Sequence, residues 1–181
     1  MRTVFLTLFF TIISLLCHAP EIDPVLRDEI AERRYNQFEI SRFIIDLGYR
    51  ESNNNWLSVN LIGCFGEWQF AESTLRFLGL DHITLKKFKA DPNIFPREKQ
   101  LEALHELIKV NLSYLSRYEH FIGDTINGVV VTKAGMIAAS HLGGAKTLMN
   151  FLDSNGDINK EDVLGTSIQD YMERFTGYYW N

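Results

Sequence analysis

FEISRFIIDLGYRES, residues 38–52, is the stretch that decides the fold. Ile40, Ile44 and Leu47 recur at helical spacing, and Glu51 continues the same line one turn beyond Leu47. The stretch reads as an amphipathic helix with its apolar stripe turned to a core. A carboxyl placed where the stripe calls for a hydrophobe is expected to lose hydration, which raises its pKa and keeps it protonated near neutrality. A protonated carboxyl facing a cleft is a general acid, so Glu51 is the first candidate for chemistry.

The surrounding chain is read outward from this helix. Towards the N-terminus, Asp23-Pro24 makes a helix start, with Asp as the cap and Pro in the first turn, and a charged amphipathic helix is expected to about residue 35. Towards the C-terminus, residues 53–66 read as a loop or small irregular sheet, because Asn and Gly cluster there. A helix is predicted over 67–78, stopped by Gly79. Residues 81–95 are weakly patterned and punctuated by Asp91-Pro92 and Phe95-Pro96. The longest helical signal runs over 96–118, where Leu101, Leu104, Ile108, Leu112 and Leu115 form one stripe.

Beyond it, Asn127-Gly128 within a β-branched run predicts a short hairpin over 124–131. Thr132 is placed to cap a helix over 133–141, which Gly143-Gly144 breaks before it resumes over 145–152. A turn at 153–157 and a short helix over 167–175 complete the chain. There are no repeats, no low-complexity linker and no sign of a second domain. The expected fold is mainly α, one helical domain over 22–181 with a small irregular β/loop element.

Composition narrows the classes. The 181 residues are 46% hydrophobic and 23% charged, ordinary for one folded domain with a sizeable core. A net charge of −5 leaves no basic footprint, so nucleic acid is set aside as a partner. Arg2 followed by an unbroken apolar run from Val4 to Leu16 resembles a secretory signal peptide, giving residues 1–19 as a leader. Cleavage after Ala19, lipidation at Cys17 and retention as an uncleaved anchor are three routes left open. Each places the protein in the periplasm or cell envelope, with a membrane or envelope-machine association through the N-terminus.

Cys17 and Cys64 are the two cysteines, and no disulfide framework follows from them. Cys64 reads as a small buried hydrophobe. The acidic run from Asp153 to Glu161 looks briefly like a calcium loop. Ile158 stands where such a loop needs glycine and Leu164 where it needs a bidentate Glu, so no metal and no cofactor are expected.

Four segments, in order, resemble the lysozyme-like soluble lytic transglycosylase family. They are Arg50-Glu51-Ser52, then Gly63-Cys64-Phe65-Gly66-Glu67-Trp68-Gln69-Phe70 followed by Ser73-Thr74, then Ala138 to Gly144, and Gly165-Thr166-Ser167 through Tyr171-Met172 to Phe175. Each is weak alone; their order and spacing carry the likeness, which covers most of residues 38–178. The last segment and the His141-Leu142-Gly143-Gly144 run are similar to a phage- and bacteroidete-associated branch. The more common motif has tyrosine and asparagine where this chain has His141 and Leu142.

The resemblance implies a lysozyme-like helical fold and cleavage of the β-1,4 bond between N-acetylmuramic acid and N-acetylglucosamine in peptidoglycan. Glu51 would act as acid and then base, with no nucleophilic carboxylate. The muramyl C6 hydroxyl would close onto C1 and leave a 1,6-anhydro end. Ser52, Gln69 and Thr74 would lie on the substrate side, Gln69 as a hydrogen-bonding residue near the acid and Thr74 as its support.

The remaining candidates have bland readings beside the functional ones. Gly63 and Gly66 are turn glycines, places where backbone comes close to sugar, or both. Trp56, in the Asn-rich loop, is a candidate for stacking on a sugar ring. Trp68 and Phe70, beside Leu75 and Leu78, read first as core, and Phe70 is also kept among the glycan contacts. His141 is either a satisfied buried residue or the imidazole counterpart of the family's aromatic partner. Glu67, a second carboxylate for a two-carboxylate mechanism, is expected to be solvated. A monomer acting on glycan strands is the expected form. A hydrolytic lysozyme and a non-catalytic glycan-binding scaffold are the rival readings.

Overall fold

The stripe over residues 38–52 is buried as its spacing predicts, but within a longer helix. The computed structural model describes residues 23–180. The leader reading of residues 1–19 and the lipid-anchor reading of Cys17 lie outside those residues. Helix α1 runs Pro24–Ser52, started by Asp23, whose Oδ1 accepts the Val25 N–H at 2.9 Å. Two helices were expected over this span. No Pro or Gly falls between Val25 and Leu47 to interrupt the i→i−4 ladder, so one forms.

The described chain divides at Gln37 into two units. The first is charged helix, with Arg33 and Glu29 paired at 4.0 Å one turn apart. The second begins at Phe38 and holds the core and the candidate site. Within it, α1 buries Phe43, Ile44 and Leu47. Glu39 is buried beside them and accepts from Arg42 Nη1 at 2.7 Å.

After α1 come α2 (Glu72–Phe77), α3 (Leu85–Ala90), a 3-10 turn at Pro92–Ile94 and α4 (Arg97–Leu115), followed by a second 3-10 segment, Ser116–Phe121. Strands β1 (Thr125–Ile126) and β2 (Val129–Val130) lead to α5 (Lys133–Gly143), α6 (Ala145–Asp153) and α7 (Ile168–Arg174). Seven α-helices and one two-stranded sheet, among the described residues, make this a mainly α protein. Helix α5 is its axis. Every residue from Ala134 to Ser140 is buried, as expected of a helix apolar on all sides, and α5 packs against α4, α6 and α7.

Several local expectations hold. Thr125 pairs with Val130 and Ile126 with Val129, while Asn127 and Gly128 take φ of 51° and 83°, the primed turn that their dipeptide favours. Thr132 Oγ1 accepts the Gly135 N–H at 3.0 Å and starts α5.

Two expectations are corrected. The helix predicted over 67–78 begins at Glu72. Phe65 and Phe70 exchange backbone hydrogen bonds of 3.0 and 2.8 Å, so this backbone is committed to a tight loop before a helix can start. The weakly patterned stretch before Phe95 contains α3, capped by Thr84, whose side chain accepts the Lys87 N–H at 3.3 Å. With Phe88 as its buried residue, α3 is too short to show a periodic stripe.

Candidate active site

Glu51 lies in the last turn of α1, half-buried. The helix ends there because Asn53 and Asn54 take left-handed conformations, φ 57° and 58°, which asparagine tolerates better than most residues. Ser52 locks the exit. Its hydroxyl donates to the Glu67 carbonyl at 2.8 Å and accepts the Asn55 N–H at 3.0 Å.

Tyr171, on α7, donates its phenolic hydrogen to Glu51 Oε1. Helix α7 is held at its start by a capping box: Ser167 Oγ accepts the Asp170 N–H at 3.1 Å, and Asp170 Oδ2 accepts the Ser167 N–H at 2.8 Å. Burial first, and then the charge of Glu51, push the Tyr171 phenol far above its ordinary pKa, so it stays a donor. The Arg50 guanidinium lies over the Tyr171 ring at 5.7 Å and donates to Thr166 Oγ1 at 3.1 Å.

Gln69 and His141 complete the wall. Gln69 holds φ at 51°, and its side-chain amide donates to the Gly66 carbonyl at 2.7 Å. His141, near the end of α5, has Nε2 at 3.0 Å from the Trp68 carbonyl, so that nitrogen carries the shared proton. Gln69 Oε1 and His141 Nδ1 are buried without a hydrogen-bond partner among the described residues. Glu51, Gln69, His141 and Tyr171 line one cleft of about 200 Å³, together with Cys64 and Asp162. Burial raises the Cys64 thiol above its ordinary pKa, which favours the unreactive thiol. The arrangement offers a carboxyl for proton transfer at Glu51, a phenol that orients it, and acceptor groups suited to hydroxyl donors.

No family model, curated protein or solved structure matches the chain.

The other sequence-predicted residues lie elsewhere or are already engaged. Phe70 is corrected to core: it is 2% exposed and packs edge-on against Phe95 at 5.7 Å and His141 at 6.4 Å. It has no free face for a sugar and instead backs the imidazole. Trp56 is half-buried and does not line the cleft; its carbonyl accepts from Gln100 Nε2 at 3.0 Å. The Ser52 hydroxyl is spent on backbone partners. Gly63 and Gly66 also lie off the cleft lining. At Gly66 the close approach is to a side chain of this protein, since a Cβ there would meet Gln100 Oε1 at 2.6 Å. Thr74 lines a separate, larger groove of about 650 Å³ with Phe77 and Tyr114.

Glu67 is also corrected. It is fully buried, not solvated, because Arg97 Nε and Nη2 bind its two oxygens at 2.5 and 2.8 Å. Among the described residues no group of three His, Cys, Asp or Glu side chains is placed to hold a metal ion. Sequence reasoning missed Tyr171 and Asp162 as cleft residues. Tyr171 was inside a quoted segment and within the short helix expected over 167–175, but nothing local points a phenol at a carboxylate far away in the chain.

Proposed function

We propose that this protein cleaves peptidoglycan glycan strands as a lytic transglycosylase, with a lysozyme-like helical domain and Glu51 as its acid and base. The observation that carries the reading is the meeting of Glu51, Gln69, His141 and Tyr171, one from each of the four motif segments, around a single cleft. Glu51 protonates the glycosidic oxygen between N-acetylmuramic acid and N-acetylglucosamine. The bond breaks towards an oxocarbenium-like muramyl C1. Glu51, now a carboxylate, takes the proton of the muramyl C6 hydroxyl as that oxygen closes onto C1. Tyr171 steadies the carboxylate through the cycle, and the free acceptors on Gln69 and His141 bind sugar hydroxyl or amide donors. Export to the envelope, where the substrate lies, belongs to the same proposal.

The test is a peptidoglycan zymogram of wild type and Glu51→Gln, followed by mass spectrometry of the soluble products. Wild type is expected to clear the gel and release 1,6-anhydromuramyl ends. Glu51→Gln should lose turnover by about 10²–10⁴-fold while folding normally. Undiminished lysis by the variant would overturn the assignment. Glycan binding without cleavage by the wild type would favour the scaffold reading.

A further inference from the structure

The cleft contains a second carboxylate. Asp162 lines it with Glu51 and Tyr171, and the charges of both carboxylates act on the Tyr171 phenol. Asp162 belongs to the loop preceding α7, where its Oδ1 accepts the N–H groups of Leu164 at 2.8 Å and Thr166 at 2.9 Å. Those two bonds anchor Oδ1, and Oδ2 has no hydrogen-bond partner among the described residues. Thr166 is tied in turn to Arg50, the neighbour of Glu51, at 3.1 Å. The loop that carries Asp162 is therefore fastened to the helix end that carries the acid.

The polar lining is rich in acceptors. Besides the two carboxylates, Gln69 Oε1 and His141 Nδ1 are buried and have no partner among the described residues. Such a set is complementary to O–H donors, and a volume of about 200 Å³ accommodates several waters or a sugar hydroxymethyl group. A carboxylate held by one oxygen on a cleft wall keeps a lone pair on the other for a proton. Two carboxyls lining one cleft are the kind of equipment an inverting hydrolase uses, in which one protonates the leaving oxygen and the other activates water.

With the glycan-cleaving reading as its premise, we infer that Asp162 is a general base for water and gives the same cleft a hydrolytic activity beside ring closure. Glu51 gives its proton to the glycosidic oxygen, and the C1–O bond breaks with its electron pair passing to the departing N-acetylglucosamine O4. The water oxygen bonds to C1 while Asp162 Oδ2 takes the water proton. The products are a reducing muramyl end and a free 4-hydroxyl. One water is consumed, and the proton on Asp162 returns to Glu51 through solvent.

The experiment digests purified peptidoglycan with wild type and Asp162→Asn, reduces the products with borohydride, and measures reducible against 1,6-anhydro muramyl ends by mass spectrometry. Asparagine retains an oxygen for the Leu164 and Thr166 N–H groups, so the loop persists while the base is lost; thermal melting verifies the fold. Wild type is expected to yield both kinds of end. Asp162→Asn should lower the ratio of reducible to anhydro ends by about 10²-fold, whatever its effect on the total number of ends released. An unchanged ratio in the folded variant overturns the inference. So does a wild-type digest with anhydro ends alone, a result that depends on no variant. No cleavage at all by wild type defeats the glycan-cleaving premise itself.

Discussion

Glu51 and Glu67 stand at the two ends of one loop and have opposite surroundings. Glu67 is fully enclosed: Arg97 grips both of its oxygens, and its own N–H donates to Gln100 Oε1 at 2.6 Å. The Arg97 guanidinium covers the Trp68 ring at 5.8 Å. Glu51 is half-buried, receives the Tyr171 phenol and keeps the rest of its carboxyl towards the cleft. The more deeply buried acid is thus the structural one. Burial alone does not make a carboxyl available for proton transfer; an unspent lone pair facing open volume is what the proposed role of Glu51 requires. A fully paired buried ion is costly to disturb and has nothing left to offer a substrate.

The contrast fails if the two sites respond alike. Glu51→Gln should give the largest change, the loss of about 10²–10⁴-fold in turnover, with stability held within about 0.5 kcal/mol because glutamine still accepts from Tyr171. Matched urea unfolding and lysis assays read both quantities. Glu67→Ala should reverse the pattern, costing about 3 kcal/mol, because it strands the Arg97 charge against Trp68 and empties a closed site. That figure is the low end of the usual range, since Arg97 leaves 48% of its side chain in solvent and is partly rehydrated. A Glu67→Ala protein with wild-type midpoint and lower turnover would show that the roles had been exchanged.

Gly66→Ala sharpens the comparison from the loop between the two acids. Gly66 has φ 88°, and its Cβ would lie 2.6 Å from Gln100 Oε1, the oxygen that receives the Glu67 N–H. A cost of about 1–3 kcal/mol is expected from overpacking and the left-handed backbone. Turnover should fall with it, since the Gly66 carbonyl holds the Gln69 amide at 2.7 Å. Unfolding midpoints and single-substrate kinetics on one preparation separate the two losses. A stable variant with normal kinetics would mean that this loop yields to an added methyl and does not hold the cleft.

How much of this could be read in advance depended on range. The hairpin was legible because Asn127-Gly128 carries its turn geometry within two residues. The α4 stripe from Leu101 to Leu115 was legible because helical periodicity is local. Glu51 could be singled out because it continues such a stripe. Glu67 could not be placed, because its burial depends on Arg97 and Gln100 in another helix. Phe70 was ambiguous for the same reason: its helical spacing beside Leu75 suggested a continuous helix, and the Phe65–Phe70 pairing replaced that helix with a loop. Tyr171 and Asp162 reach the cleft through the packing of α7 and its preceding loop, for which no short-range pattern exists.

The smallest effect distinguishes two phenols as the first comparison distinguished two acids. Tyr178 donates to Asp46 on α1, outside the cleft, and its ring meets Phe43 edge-on at 5.7 Å beneath the Arg42 guanidinium at 5.1 Å. Burial, followed by the Asp46 hydrogen bond, raises its pKa from 10.0 to about 12. Between these values the folded protein keeps a proton that the unfolded chain has released, so folding binds protons and stability falls as pH rises. The contribution is present in full below pH 10 and is lost on the way to about 12. Melting temperatures of wild type and Tyr178→Phe across that window should therefore converge, wild type having the steeper decline. Every other group is common to the two proteins, so the difference isolates Tyr178. Because Tyr178 is partly solvated, the gap should be modest, and lysis near neutrality should be the same in both. Parallel melting curves would show that the Tyr178–Asp46 bond contributes nothing to stability, and lower lysis in the variant would extend the functional region beyond the cleft.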